Sequence, residues 1–138
     1  MTKKNRKNTV LIAEDDYDFY KLISLLLEKE DFFVLRAHNG KIAEILLKIY
    51  HDQIAFCLLD LSLPKKDGIS LLFDIKSDES LKDIPLIIFS NLENEKDIKK
   101  SISAGALAHI KKQKTPIYEI IKKLRIIFNF SNTGRIKL

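Results

Sequence analysis

The sequence predicts an α/β domain: a mostly parallel sheet of five strands with helices on both faces. Two observations carry that reading. Short continuous apolar runs alternate along the chain with longer segments of helical period, and neighbouring parallel strands can be joined only by crossovers of that kind. The length of 138 residues leaves room for one such domain, whose crossovers are right-handed.

Thr9–Ala13 is a continuous apolar run closed by acids, the pattern of a buried parallel strand. Phe19, Leu22, Ile23, Leu26 and Leu27 then recur at helical spacing and predict one stripe of a helix ending near Glu30. Phe32–Ala37 reads as the second strand. Asn39 follows as the cap of a helix whose expected buried face is Ile42, Ile45, Leu46 and Ile49. Phe56–Asp60 is the third strand, and the turn-rich Leu61–Gly68 leads into a helix around Ile69–Lys76. Pro85 precedes the fourth strand, Leu86–Ser90, because proline is tolerated at a strand entrance and not in its middle. A polar helix is expected over about Glu93–Ala104 with Gly105 as its C-terminal cap. Ala108–Lys111 makes a short fifth strand. Pro116 opens a last helix with the stripe Ile117, Ile120, Ile121, Leu124, Ile127 and Phe128.

Composition narrows the function classes. With 46% hydrophobic and 31% charged residues the chain is an ordinary globular sequence, not a disordered or repetitive one. No apolar run approaches the roughly 20 residues that cross a bilayer, and the basic start is followed by too short an apolar stretch for a signal-peptide core, so a cytoplasmic location is expected. Cys57 is the single cysteine and sits among Phe56, Leu58 and Leu59, which excludes an internal disulfide and points to simple burial. The net charge of +5 is misleading. Residues 1–8 carry +4 and residues 129–138 another +2, leaving 18 basic and 19 acidic groups in residues 9–128. The expected organisation is a basic extension over 1–8, one domain over 9–128 and a short tail over 129–138.

In open parallel sheets, ligands bind at the carboxyl ends of the strands, beside the point where strand order reverses. Glu14, Asp15, Asp60 and Ser90 all fall at such ends. Three carboxylates gathered there repel one another unless a cation compensates them. Oxygen ligands with no nearby His or Cys favour Mg²⁺, or Mn²⁺, over zinc, which makes phosphate chemistry the leading expectation. Asp16 and Asp18 read instead as acids stabilising a helix start.

Taken in order, Val10-Leu11-Ile12-Ala13-Glu14-Asp15-Asp16, Leu58-Leu59-Asp60-Leu61-Ser62-Leu63-Pro64 with Asp67-Gly68, Pro85–Ser90, and Gly105-Ala106 before Lys112 resemble a receiver domain of the two-component response-regulator family. The likeness is to its single-domain, chemotaxis-regulator-like form and covers about residues 9–128. It implies a doubly wound, flavodoxin-like sheet of order 2-1-3-4-5. It also implies that Asp60 is the phosphoryl acceptor, attacking a phosphohistidine on a histidine kinase or phosphotransfer protein. Asp15 would bind Mg²⁺ directly, Glu14 mainly through water, and Ser62 through its backbone carbonyl, with Asp60 completing the protein ligands. Lys112 would pair with the phosphoryl oxygens and Ser90 donate a hydrogen bond to them.

The chain departs from the family at several points. Gln113 stands where a proline usually helps aim the lysine, His109 stands where a Tyr or Phe usually swings inward on activation, and Asn91 replaces a small residue beside Ser90. Leu92 stands where a side chain often steers hydrolytic water, from which slow loss of phosphate is expected. No helix-turn-helix or catalytic output segment follows the last helix, so the expected output is protein contact or self-association through the face of the fourth helix, fifth strand and fifth helix. That face holds Lys99, Lys100, Lys111, Lys122, Lys123 and Arg125. Nucleic acid is not expected, since no recognition helix or aromatic platform accompanies the lysines. Two other readings stay open: a degenerate receiver serving as a phosphorylation-independent interaction module, and a metal-dependent phosphohydrolase, disfavoured for want of a lid or cap over a substrate pocket. Flavin binding is disfavoured because the first strand leads into acids and not into a phosphate cradle.

Overall fold

The structure, a computed structural model, describes residues 7–63, 65, 68–91 and 95–128. Its elements alternate as β1 (Thr9–Ala13), α1 (Tyr17–Lys29), β2 (Phe33–Ala37), α2 (Gly40–Tyr50), β3 (Ile54–Asp60), α3 (Gly68–Ser77), β4 (Leu86–Ser90), α4 (Glu95–Ser103), β5 (Ala108–Lys111) and α5 (Ile117–Phe128). The strands form one sheet of order β2-β1-β3-β4-β5, and every pairing is parallel. The strand order reverses between β1 and β3.

Alternation along each strand divides the core between the two faces. Leu11, Ala13, Cys57, Leu59, Leu86 and Ile88 meet Ala43 and Leu47 of α2 and Leu71, Leu72 and Ile75 of α3. Val10, Ile12, Phe56, Leu58, Ile87 and Phe89 meet Ile23 and Leu27 of α1 and Ile120, Ile121, Leu124 and Phe128 of α5. The second face is the aromatic one. Phe128 stacks on Phe56 with centroids 4.3 Å apart and fixes the end of α5, a contact worth about 1 kcal/mol beyond its buried area.

Three helical faces differ from the sequence expectation. Ile45 and Ile49 of α2 are 55% and 61% exposed, and the buried line is Gly40, Ala43 and Leu47. Apolar residues cover a wide arc of this helix and Lys41, Glu44 and Lys48 only a narrow stripe, so periodicity alone does not choose the buried line, and the small Gly40 and Ala43 let the helix approach the sheet. Leu22 of α1 is exposed while Ser24 is buried, and Ile127 of α5 faces outward. Arg125, expected on an open basic face, pairs with Glu30 at the end of α1.

Local signals position the site. Asp16 caps α1 by accepting from the Phe19 N–H at 3.2 Å, and Asn39 caps α2 by accepting from the Ile42 N–H at 2.9 Å. Gly105 takes φ +113° after α4, a conformation that favours glycine. Gly68 is required for space: a Cβ there would lie 2.5 Å from Leu61 Cα and 2.9 Å from the Asp60 carbonyl oxygen. The start of α3 is thereby packed directly on the backbone that carries Asp60. Among the described residues no helix is long and apolar enough to cross a membrane.

Candidate functional site

β1 and β3 lie side by side, so the acids at their carboxyl ends converge. Glu14, Asp15 and Asp60 each offer a carboxylate oxygen, all within 4.8 Å of one another. Glu14 is fully buried, Asp60 is 4% exposed, and Asp15 opens to solvent. Backbone amides hold two of the three: the Asp16 N–H donates to Glu14 Oε2 at 2.9 Å, and the Ser62 N–H donates to Asp60 Oδ1 at 2.9 Å.

Lys112 enters from the end of β5. Its N–H donates to the Ser90 carbonyl at 2.9 Å, and its Nζ lies 2.7 Å from Glu14 Oε1 and 3.3 Å from Asp60 Oδ2. Three carboxylates thus face one ammonium. Burial raises the Glu14 carboxyl to about 7, with the charge on Asp60 adding to the rise and Lys112 and the Asp16 amide offsetting only part of it. Burial alone would lower the Lys112 ammonium, but its pairing with Glu14 and Asp60 prevails and raises it. Glu14 Oε1 is buried, and its partner is the Lys112 ammonium at 2.7 Å. Hard oxygen donors gathered from three carboxylates, with more acid than ammonium at one point, together suit a divalent cation of the Mg²⁺ or Mn²⁺ type.

The other side of the site is neutral. Ser90 ends β4 and is fully buried; its Oγ lies 3.0 Å from His109 Nε2. His109 pairs with Ile88 across the β4–β5 ladder, so Ser90, two residues on from Ile88, shares its face. Burial and the neighbouring Lys111 hold the imidazole below its usual range. The tautomer of the ring sets which of the two groups donates in this hydrogen bond. His109 is therefore half-buried and engaged, unlike an ordinary surface histidine.

The predicted residues thus form two groups, Glu14, Asp15, Asp60 and Lys112 in one and Ser90 and His109 in the other, joined through the Lys112 N–H to Ser90 carbonyl bond. Ser62 contributes its amide to Asp60. Pro64, Asp67 and Leu92 lie outside the described residues. Two contributors escaped the sequence reading. Arg36 donates from Nη2 to the Asp15 carbonyl at 3.1 Å and lies over the Tyr17 and Tyr20 rings at 5.3 and 5.1 Å; an arginine inside an otherwise apolar strand was the available signal. Phe19, read as part of a core stripe, has its ring 4.7 Å from Lys112 Nζ.

This arrangement can now be set beside known proteins. A family model described as the response regulator receiver domain matches residues 10–125. The chain belongs to that family. It is 31% identical over 125 residues to the transcriptional regulatory protein CpxR of Escherichia coli (strain K12), covering 91% of this chain and 51% of CpxR. The chain spans about half the length of CpxR and of several other curated relatives it matches. Among solved structures, the Mn²⁺-bound form of response regulator Rcp1 is similar with TM-score 0.76 and 27% identity, covering 89% of this chain and 93% of Rcp1. The phosphorylated cyanobacterial phytochrome response regulator RcpA is similar with TM-score 0.78 and 29% identity, covering 90% and 93%. The five-stranded parallel order is that of the chemotaxis-regulator-like receivers. This protein is thus a receiver domain of two-component response regulators, a signalling domain with an acidic pocket of the kind in which receivers bind Mg²⁺ or Mn²⁺.

Proposed function

We propose that this receiver takes a phosphoryl group from a histidine kinase or phosphotransfer protein onto Asp60 and signals by protein contact. One observation carries the reading: three carboxylates and one ammonium meet at the carboxyl ends of adjacent strands at the strand-order reversal. In the transfer, an Asp60 carboxylate oxygen attacks the phosphorus of a phosphohistidine. The P–O bond forms as the P–N bond breaks, and the electron pair leaves with the imidazole. The Ser62 amide orients the nucleophile by holding Oδ1. Lys112, already beside Asp60, moves its charge onto the phosphoryl oxygens. Ser90 exchanges its bond to His109 for one to the same oxygens.

Asp15, Asp60 and the Ser62 carbonyl would hold Mg²⁺, with Glu14 acting mainly through water. The ion, when bound, offsets the negative charge on the transferring group. The output surface is α4, β5 and α5, where Lys99, Lys100, Lys111, Lys122 and Lys123 are exposed and meet an acidic partner or a second copy. The receiver unit covers residues 9–128, with a basic segment before it and a short segment after it, and acts in the cytoplasm without a nucleic-acid ligand.

Intact mass after incubation with Mg²⁺ and acetyl phosphate tests the chemistry. The expected result is one added phosphoryl group that requires both Mg²⁺ and Asp60 and is absent from Asp60→Asn. No adduct, with Mg²⁺ and beryllofluoride binding assayed to exclude fast hydrolysis, would replace this reading with a phosphorylation-independent interaction module.

A further inference from the structure

Lys112 is directed by more than its two carboxylates. Its Nζ lies 4.7 Å from the centroid of the Phe19 ring, within the range at which an aromatic face attracts a cation. The acidic turn that builds the site also delivers this ring. Asp16 caps α1 and accepts from the Phe19 N–H, which fixes Phe19 in the first turn, and the ring then leans on Phe89 of β4 with centroids 5.3 Å apart. Phe19 is thus tied to a helix cap at its backbone and to the core at its side chain.

The main chain of Lys112 is anchored to Ser90, while its side chain is a flexible four-carbon stem. Its long side chain therefore takes its direction from what surrounds it. We propose that Phe19 is the positioning residue of Lys112, holding the ammonium over Asp60 for the incoming phosphoryl group; this inference rests on the acceptor reading above. An aromatic face suits the task because it attracts the cation without supplying an acceptor oxygen. The charge stays available to phosphoryl oxygens, and the ammonium can slide from Glu14 toward them across the ring. A leucine in the same place would fill the volume and exert no such pull.

The test compares wild type, Phe19→Leu, Phe19→Tyr, Lys112→Met and the double variant Phe19→Leu/Lys112→Met. Two readouts are used: the rate of acetyl-phosphate-dependent phosphorylation with Mg²⁺, and the proton chemical shift of the Lys112 ε-methylene, which an aromatic ring beneath it moves upfield. Phe19→Leu is expected to slow phosphorylation about tenfold and to abolish the upfield shift. Phe19→Tyr should restore both, and Phe19→Leu should add nothing once Lys112 is Met. A wild-type rate in Phe19→Leu would overturn the proposal. So would an equal slowing in the Lys112→Met background, because the ring would then act on the fold and not through the lysine. A wild type that takes no phosphoryl group overturns the acceptor reading and any catalytic consequence of Phe19, while the chemical shift still decides separately whether the ring holds the lysine.

Discussion

The two halves of the site solve opposite problems. At the ends of β1 and β3, three carboxylates crowd around one ammonium and are left with surplus negative charge. Between the end of β4 and β5, the buried Ser90 hydroxyl and the half-buried His109 imidazole meet at 3.0 Å, with burial holding the imidazole below its usual range. The first half is held together by charge and is sensitive to every ion that enters it; the second is complete as it stands and changes only when a better acceptor arrives. A receiver needs both properties, one to attract the phosphoryl group and one to register its arrival.

Removing Lys112, the one ammonium paired with these acids among the described residues, should break this contrast most sharply. Lys112→Met leaves Glu14 and Asp60 buried without compensation, at an expected cost of about 3 kcal/mol in the metal-free protein near pH 8, and saturating Mg²⁺ should recover most of it. Urea melts with and without Mg²⁺ measure both numbers, and an unchanged midpoint would show that the ammonium does not balance the acids.

The next effect is in pH dependence. Glu14 is raised from 4.5 to about 7 on folding, so the folded state holds its proton more tightly than the unfolded state. Its contribution to stability is full below about pH 4.5 and is lost as pH rises through about 7. The metal-free protein should therefore lose stability across that window, and Glu14→Gln should flatten the slope. Denaturation midpoints from pH 4.5 to 8 check the sign; a wild-type slope unaffected by the substitution would refute the assignment to Glu14.

Gly68→Ala tests the mechanical side of the charged half, since the added methyl meets the backbone of Asp60 and Leu61. About 2 kcal/mol of destabilisation is expected, together with chemical-shift changes at the Ser62 amide that holds Asp60. The neutral half should respond least. His109→Phe removes one hydrogen-bond partner of Ser90, and about 1 kcal/mol or less is expected in a thermal melt. A loss larger than that of Lys112→Met would reverse the contrast.

The sequence revealed the charged half more readily than the neutral one, for a physical reason. Buried parallel strands are short apolar runs bounded by polar residues, so Thr9–Ala13, Leu86–Ser90 and Ala108–Lys111 were legible to the residue, and the acids that follow β1 and end β3, Glu14, Asp15 and Asp60, stood out beside such runs. Ser90 and His109 meet only through the register of β4 with β5, which no local pattern contains. Phe19 was hidden differently, because a phenylalanine at helical spacing looks the same whether it packs on a core or also covers a lysine. The outward turn of Ile45 and Ile49 belongs to the same class: a helix with a wide apolar arc offers more than one line to bury, and the small residues that decide between them carry little hydrophobic signal.

The burial of Cys57 has a practical consequence. The thiol is the only one in the chain, is 0% exposed in the middle of β3, and has its ionisation pushed up to about 12 by burial. Alkylating reagents attack the thiolate, so in the native protein they find neither access nor reactivity and must wait for the strand beneath Asp60 to open. Labelling rate then becomes an unfolding clock built into the wild-type chain, read on the same strand as Asp60, with no probe to be introduced and no second cysteine to confuse the count.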